Sequence, residues 1–252
     1  MVLIARRRFL ITLPALAATA TAHANGLQKV RDLFDQVMPS PRVTGVLLDV
    51  SGSILPGELE IYRTAMLQAT AAVRRGDRIV LGEISERLQP QFRLAFDLRA
   101  PDTGRSRADD AVAGAKAKEA MALFERVASR EKRASRSCIM DAVAAMGDVL
   151  MAAPERTKSL LVLSDMIEDS SSVGNFDRPR LKIKDISAVV TRAKSAGLAR
   201  ELSGLEVRVC GAAGRDAAHY DAIRACWHAW LERACGARIV YYGRTPPAVT
   251  AG

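Results

Sequence analysis

The sequence is poor in aromatic residues, which make up 5% of its 252 positions, and it holds only 3 histidines and 4 cysteines. No rings are interleaved with its basic runs at Arg74-Arg75 and at residues 130–136, so the stacking platform that nucleic acid would need is missing and no nucleic-acid partner is expected. The cysteines and histidines lack the paired spacing of a zinc cluster. Apart from residues 9–20, which Pro14 interrupts, there is no long apolar run, and that one is shorter than the roughly 20 residues a membrane span requires. A stable membrane span is therefore not expected. What is present is the make-up of a compact protein, with 49% apolar and 26% charged residues. A single domain of this size buries roughly 70% of the surface of its unfolded chain and needs no staples.

The formal net charge of +9 first points to an acidic partner, but part of it lies at the N-terminus. Residues 1–24 contain no acid, three consecutive arginines (Arg6, Arg7, Arg8), the apolar run, and the small-residue triplet Ala22-His23-Ala24. That order is the pattern of a secretory signal, cleaved after Ala24. Of the 37 basic residues those three go with the signal, leaving 34 against 28 acidic ones, a net +6. Arg6-Arg7-Arg8-Phe9-Leu10 resembles the twin-arginine export motif, with Ala5 where Ser or Thr is usual; general export is the other route. A periplasmic or otherwise exported protein is expected.

From Pro41 onward, short apolar runs at residues 43–48, 78–81, 159–163, 205–209 and 239–242 alternate with amphipathic stretches. This is the pattern of buried parallel strands covered by helices on both faces. Leu59, Tyr62, Met66, Ala69 and Val73 recur at helical spacing before Gly76, as do Ile139, Val143, Met146 and Leu150. Ile186, Val190 and Ala193 mark a third helix; Tyr220, Ile223, Trp227 and Trp230 a fourth, with both tryptophans as core anchors. Residues 91–98 follow Pro90 with no room for a preceding helix and read as an antiparallel edge strand. Residues 109–132 read as an exposed helix. The expected organisation is a signal at 1–24, an N-terminal segment at 25–40, one α/β domain at 41–243 and a tail at 244–252.

The first strand ends in Asp49-Val50-Ser51-Gly52-Ser53, and a later central strand ends in Ser164-Asp165. In an open parallel sheet, ligands sit beyond the carboxyl ends of the strands, so these carboxylates and hydroxyls share one rim. Oxygen donors without thiolate or imidazole suit magnesium, manganese or calcium. Asp49-x-Ser51-x-Ser53 after a buried strand, with Asp165 at the matching place on another, resembles the metal-ion-dependent adhesion site of von Willebrand factor type A domains of exported bacterial type. The resemblance covers residues 41–243. It implies a Rossmann-like, mostly parallel six-stranded sheet with one antiparallel edge strand, and a bound Mg2+, Mn2+ or Ca2+. It further implies that Ser51 and Ser53 hold the ion directly, that Asp49 and Asp165 act largely through water, and that Ser137 stands where the family carries a threonine, with Ser135 as competitor. A protein partner would then supply an Asp or Glu carboxylate to the ion.

Other readings stand beside this one. Asp49 and Ser51 also suit a helix N-cap. Glu168 and Asp169 read as solvated loop residues, and His219 and His228 as ordinary helix histidines away from the rim, with no catalytic part. Cys138, Cys210, Cys226 and Cys235 allow three disulfide pairings, among them Cys138 with Cys210, or Cys226 with Cys235 if the chain turns back; buried free thiols are the alternative. The competing function is a magnesium-dependent phosphatase-like hydrolase using Asp49, against which stands the Asp-x-Ser spacing in place of Asp-x-Asp. A serine hydrolase at Ser51 lacks the Gly-x-Ser-x-Gly turn.

Overall fold

A computed structural model describes residues 40–52, 54, 56–86, 92, 94–103, 106–129 and 135–247. The expected signal sequence, residues 25–39, Ser53 and the last five residues lie outside this set. Contacts separate Pro41–Gly252 as one compact unit from Met1–Ser40.

The described elements are β1 (Arg42–Asp49), α1 (Pro56–Ala71), β2 (Arg78–Ile84), β3 (Leu94–Arg99), α2 (Ser106–Ala128), α3 (Ile139–Met151) and β4 (Thr157–Leu163). A two-residue hairpin follows, β5 (Asp169–Ser170) and β6 (Gly174–Asn175), then α4 (Ile186–Ser195), β7 (Leu205–Cys210), α5 (Ala217–His228) and β8 (Arg238–Gly243). One six-stranded sheet runs in the order β3-β2-β1-β4-β7-β8. Every pairing in it is parallel except β2 with β3, where the edge strand returns antiparallel. The mostly parallel sheet with one antiparallel edge agrees with the fold expected from the sequence.

Strand residues alternate between two cores. Val43 and Leu47 of β1, with Leu160 and Val162 of β4, join α3, α4 and α5 on one face. Val46 and Leu48, with Leu161 and Leu163, join α1 and α2 on the other. Burial on both faces explains why these strands read as continuous apolar runs. Gly45 lets α3 lie close on β1: a Cβ there would come within 2.9 Å of Leu150 Cδ1. Each buried Val, Leu or Ile contributes roughly 1.5–3 kcal/mol of transfer free energy, so the sheet's position is set by packing more than by strand propensity.

Some boundaries differ from those the sequence predicts. The edge strand spans Leu94–Arg99 in place of 91–98, residues 91 and 93 lying outside the described set. The exposed helix begins at Ser106, not Asp109, because Asp109 sits in the first turn and its carboxylate reaches back to accept from Thr103 N–H and Oγ1, both at 2.9 Å. It ends at Ala128, four residues short of the expected end. The β5–β6 hairpin was not predicted, since two-residue strands carry no periodicity. All four cysteines are buried free thiols, so neither disulfide pairing forms. Burial pushes Cys138 and Cys226 up to about 12, and Cys210 and Cys235 to about 11, which keeps them as inert core thiols.

Candidate metal centre

From β1 the chain moves outward to β2 and β3, then crosses back to β4 on the other side of β1. Loops leaving the carboxyl ends of β1 and β4 therefore diverge, and a crevice opens between them at the topological switch point. Asp49 is the last residue of β1, and Ser164-Asp165 directly follows β4. The crevice there is an open cleft of about 440 Å³. Its walls carry Ser51, Gly52 and Glu58 from the first loop and α1, Ser135, Arg136 and Ser137 before α3, and Asp165 and Asp169 after β4. Asn175, Asp177 and Arg215 close the far side, where Asp177 and Arg215 pair.

Asp49 organises the floor. Its buried carboxylate accepts from Ser51 N–H at 2.9 Å and Ser137 Oγ at 3.4 Å through Oδ1, and from Ser164 Oγ at 2.7 Å through Oδ2. Three loops thus meet on one side chain. The N-cap alternative for Asp49 is not what the geometry shows, since its bonds run to Ser51, Ser137 and Ser164 and none of these lies in α1. Ser137, and not Ser135, bonds to Asp49; Ser135 lines the outer cleft and donates to Glu86 at its exposed edge. Asp165 is buried with Oδ1 accepting from Ile167 N–H at 2.8 Å. Of the five expected site residues, four are brought to this cleft; Ser53 lies outside the described residues.

Electrostatically the cleft favours positive charge. Desolvation raises Asp49 above the ordinary carboxylate range, against the pull of its hydrogen bonds. Burial, and then the Asp49 charge, push Asp165 up to about 7; Glu58 and Asp177 act in the same direction. Two buried carboxylates that oppose each other's ionisation are relieved by a cation placed between them. Among the described residues no three Asp, Glu, His or Cys side chains group to hold an ion by themselves, so hydroxyls must complete a shell. No histidine or cysteine lines the cleft. A donor set of carboxylate and hydroxyl oxygens fits a hard divalent cation, with Ser51, Ser137 and Asp165 facing it and Asp49 aiming the hydroxyls.

Three residues matter here that the sequence reading left out or placed elsewhere. Ser164 was quoted only as Asp165's neighbour, yet it is fully buried, donates to Asp49 and accepts from Met166 N–H at 3.0 Å. Met166 stands at φ 66°, the strained left-handed region for a bulky residue, held there by Ser164 and by Trp227 Nε1 donating to its carbonyl at 2.9 Å. Trp227 is thus a core anchor, as expected, and also a brace for the turn after Asp165.

Glu168 is a correction. Expected in solvent, it is fully buried, and its Oε2 accepts from Met140 N–H at 2.9 Å in the first turn of α3. That helix has Cys138 at its N-cap with no side-chain bond, and a carboxylate from another loop supplies what the cap does not. The signal available in the sequence was a cysteine where Ser, Thr, Asp or Asn usually stands. Asp169 N–H also donates to Ser137 carbonyl at 2.9 Å, so the Ser137 and Asp165 loops are clasped together. His219 is likewise nearer the rim than expected. It is buried, accepts through Nδ1 from Arg215 N–H at 3.2 Å, and its Nε2 faces the Phe176 carbonyl at 2.7 Å as donor. It steadies two cleft loops.

Gly211, after β7, adopts φ 105°, and a Cβ there would stand 2.5 Å from Tyr62 Cε1 and 2.8 Å from the Ser164 carbonyl. Gly211→Ala is expected to lower stability by about 2 kcal/mol, read as a lower urea midpoint, since neither the dihedral nor the space suits a side chain. An unchanged midpoint would contradict this packing.

No family model matches the chain, and no curated protein sequence does. Among solved structures, it is similar to a von Willebrand factor type A protein from Catenulispora acidiphila, at 14% identity and a TM-score of 0.40 over 81% of this chain. The PilB minor pilin of Streptococcus sanguinis matches at 14% and 0.43, also over 81%. The manganese-loaded TRAP protein of Plasmodium vivax matches at 12% and 0.39 over 74%. The chain spans 39%, 57% and 62% of the lengths of those three structures, in that order. At these identities and scores the likenesses carry no reading of function, which rests on the cleft's own residues.

Proposed function

We propose that this protein is an exported, divalent-cation-dependent protein-binding module. Asp49, Ser51, Ser53, Ser137 and Asp165 form the metal set for Mg2+, or Mn2+ or Ca2+, and the domain that carries them runs from 41 to 243. The observation that supports it is the meeting of Ser51, Ser137 and Ser164 on the Asp49 carboxylate beside a second buried carboxylate, Asp165, at the open end of the sheet. A bound cation would supply a Lewis-acidic position open to an outside ligand.

The chain's own residues do the rest. Asp49 holds two hydroxyls and one backbone N–H in a fixed arrangement. Asp165, fixed by Ile167 N–H, offers a carboxylate whose charge needs a counter-ion. With few anionic donors in the set, a bound ion would keep excess positive charge, and a partner's Asp or Glu carboxylate is the ligand that satisfies it. Binding, not turnover, is the proposed role. In keeping with an exported protein without a stable span, no helix among the described residues is long and apolar enough to cross a membrane.

Calorimetric titration of MgCl2 or MnCl2 into the metal-free chain tests the reading, with saturable one-to-one binding expected. Capture of a protein from envelope extract in MgCl2, and its release by chelator, is expected in turn. A chain that stays folded and takes up neither ion would overturn the proposal.

A further inference from the structure

Tyr62 lies on α1, one turn after Glu58, with its side chain fully buried. Its ring belongs to the core formed with Val46, Leu48 and Met66. Phenylalanine would fill that space equally well. The hydroxyl, however, is buried without a hydrogen-bond partner among the described residues. A buried donor left unsatisfied costs stability and needs an explanation.

Its surroundings supply one. Oη would stand 3.0 Å from a Cβ built at Gly211, and the Ser164 carbonyl 2.8 Å from the same point, so both border one small space beneath the loop that carries Asp165. The absence of a side chain at Gly211 keeps that space open. The charges that act most on the phenol are those of Asp49 and then Asp165, and with burial they raise its pKa. The hydroxyl is therefore a donor aimed from below at the two carboxylates of the cleft, while Ser51 and Ser137 approach from their loops.

We propose that Tyr62 is a positioning residue of the cation site, its hydroxyl donating to water shared by the ion with Asp49 and Asp165 and so favouring an ion that keeps its water. This rests on the metal reading above and goes beyond it in naming a selectivity element. Magnesium surrenders water reluctantly, whereas calcium takes six to eight ligands in flexible geometry, so a fixed donor to the water shell favours magnesium. Partners outside the ligand shell commonly change metal affinity 10- to 100-fold.

The test compares Tyr62→Phe with the unmodified chain and with Asp49→Ala, in calorimetric titrations of MgCl2 and of CaCl2 and in thermal unfolding in chelator. Tyr62→Phe is expected to weaken magnesium binding about tenfold and calcium binding less, narrowing the preference, with an equal or higher metal-free midpoint. Magnesium affinity within about twofold of the unmodified chain, while Asp49→Ala loses it, would overturn the role of Tyr62 alone. Weaker binding together with a lower metal-free midpoint would mark the hydroxyl as structural and overturn it too. Absence of magnesium binding in the unmodified, folded chain would overturn both this and the metal reading.

Discussion

Asp49→Ala is expected to abolish magnesium binding, with the titration heat falling to background, while leaving a folded protein. The carboxylate is the common acceptor for Ser51 N–H, Ser137 Oγ and Ser164 Oγ, so its loss releases three loops at once and leaves those donors without aim. Two effects on stability oppose each other. Buried donors left unpaired cost about 1–3 kcal/mol each, yet removing a buried carboxylate whose ionisation is already disfavoured returns part of that. The thermal midpoint therefore moves far less than the affinity. Ser164→Ala removes one of the three donors and keeps the carboxylate, so it is expected to weaken binding about 10- to 100-fold. Calorimetry with circular dichroism on both variants reads the two effects separately. Asp49→Ala protein that binds magnesium as before would end the metal assignment.

The second large effect is on stability against pH. Asp49, Asp141, Asp165 and Glu168 all have raised folded-state pKa values, with burial as the leading cause. Such a group keeps its proton in the fold where the unfolded chain has released it. The folded state then binds more protons, and stability falls as pH rises from the unfolded value to the folded one. For Asp165 the window runs from 3.8 to about 7, and for Glu168 from 4.5 to about 8. At about 1.4 kcal/mol per unit, each of these two fully developed shifts is worth about 4 kcal/mol as an order of magnitude.

In chelator, the melting temperature is therefore expected to fall steadily between about pH 5 and 8 and to level off above. Excess MgCl2 should raise it more at pH 8 than at pH 5, since the ion competes with protons for the same oxygens. Glu168→Gln keeps an acceptor for Met140 N–H and cannot ionise, so it is expected to flatten the upper part of the profile and to keep magnesium binding. A metal-free melting temperature that climbs from pH 5 to 8 would contradict the buried-carboxylate account.

The parts of this protein legible in its sequence are those written at short range. Apolar runs bounded by turns gave the places of the strands, and 3.6-residue spacing found the buried face of α1 at Tyr62 and Met66. Asp49-x-Ser51-x-Ser53 and Ser164-Asp165 identified the rim because each follows a strand of the sheet's centre. The misses share one cause. Glu168 looked like any acid in a polar loop, and nothing local records that its partner is an N–H at the head of α3, 28 residues earlier. Ser164 was passed over because its bond to Asp49 spans 115 residues.

Local pattern alone determined the order of strands and helices, the rim on which a site would fall, and the oxygen chemistry of its donors, because periodicity and residue type act within a few positions. Only the tertiary structure decided that Asp49 is the shared acceptor, that Asp165 and Glu168 are buried enough to resist ionisation, and that Tyr62 points its hydroxyl at the cleft. Burial and charge coupling depend on which distant segments the sheet's crossover brings together, and that is a property of the packed chain, not of any stretch of it.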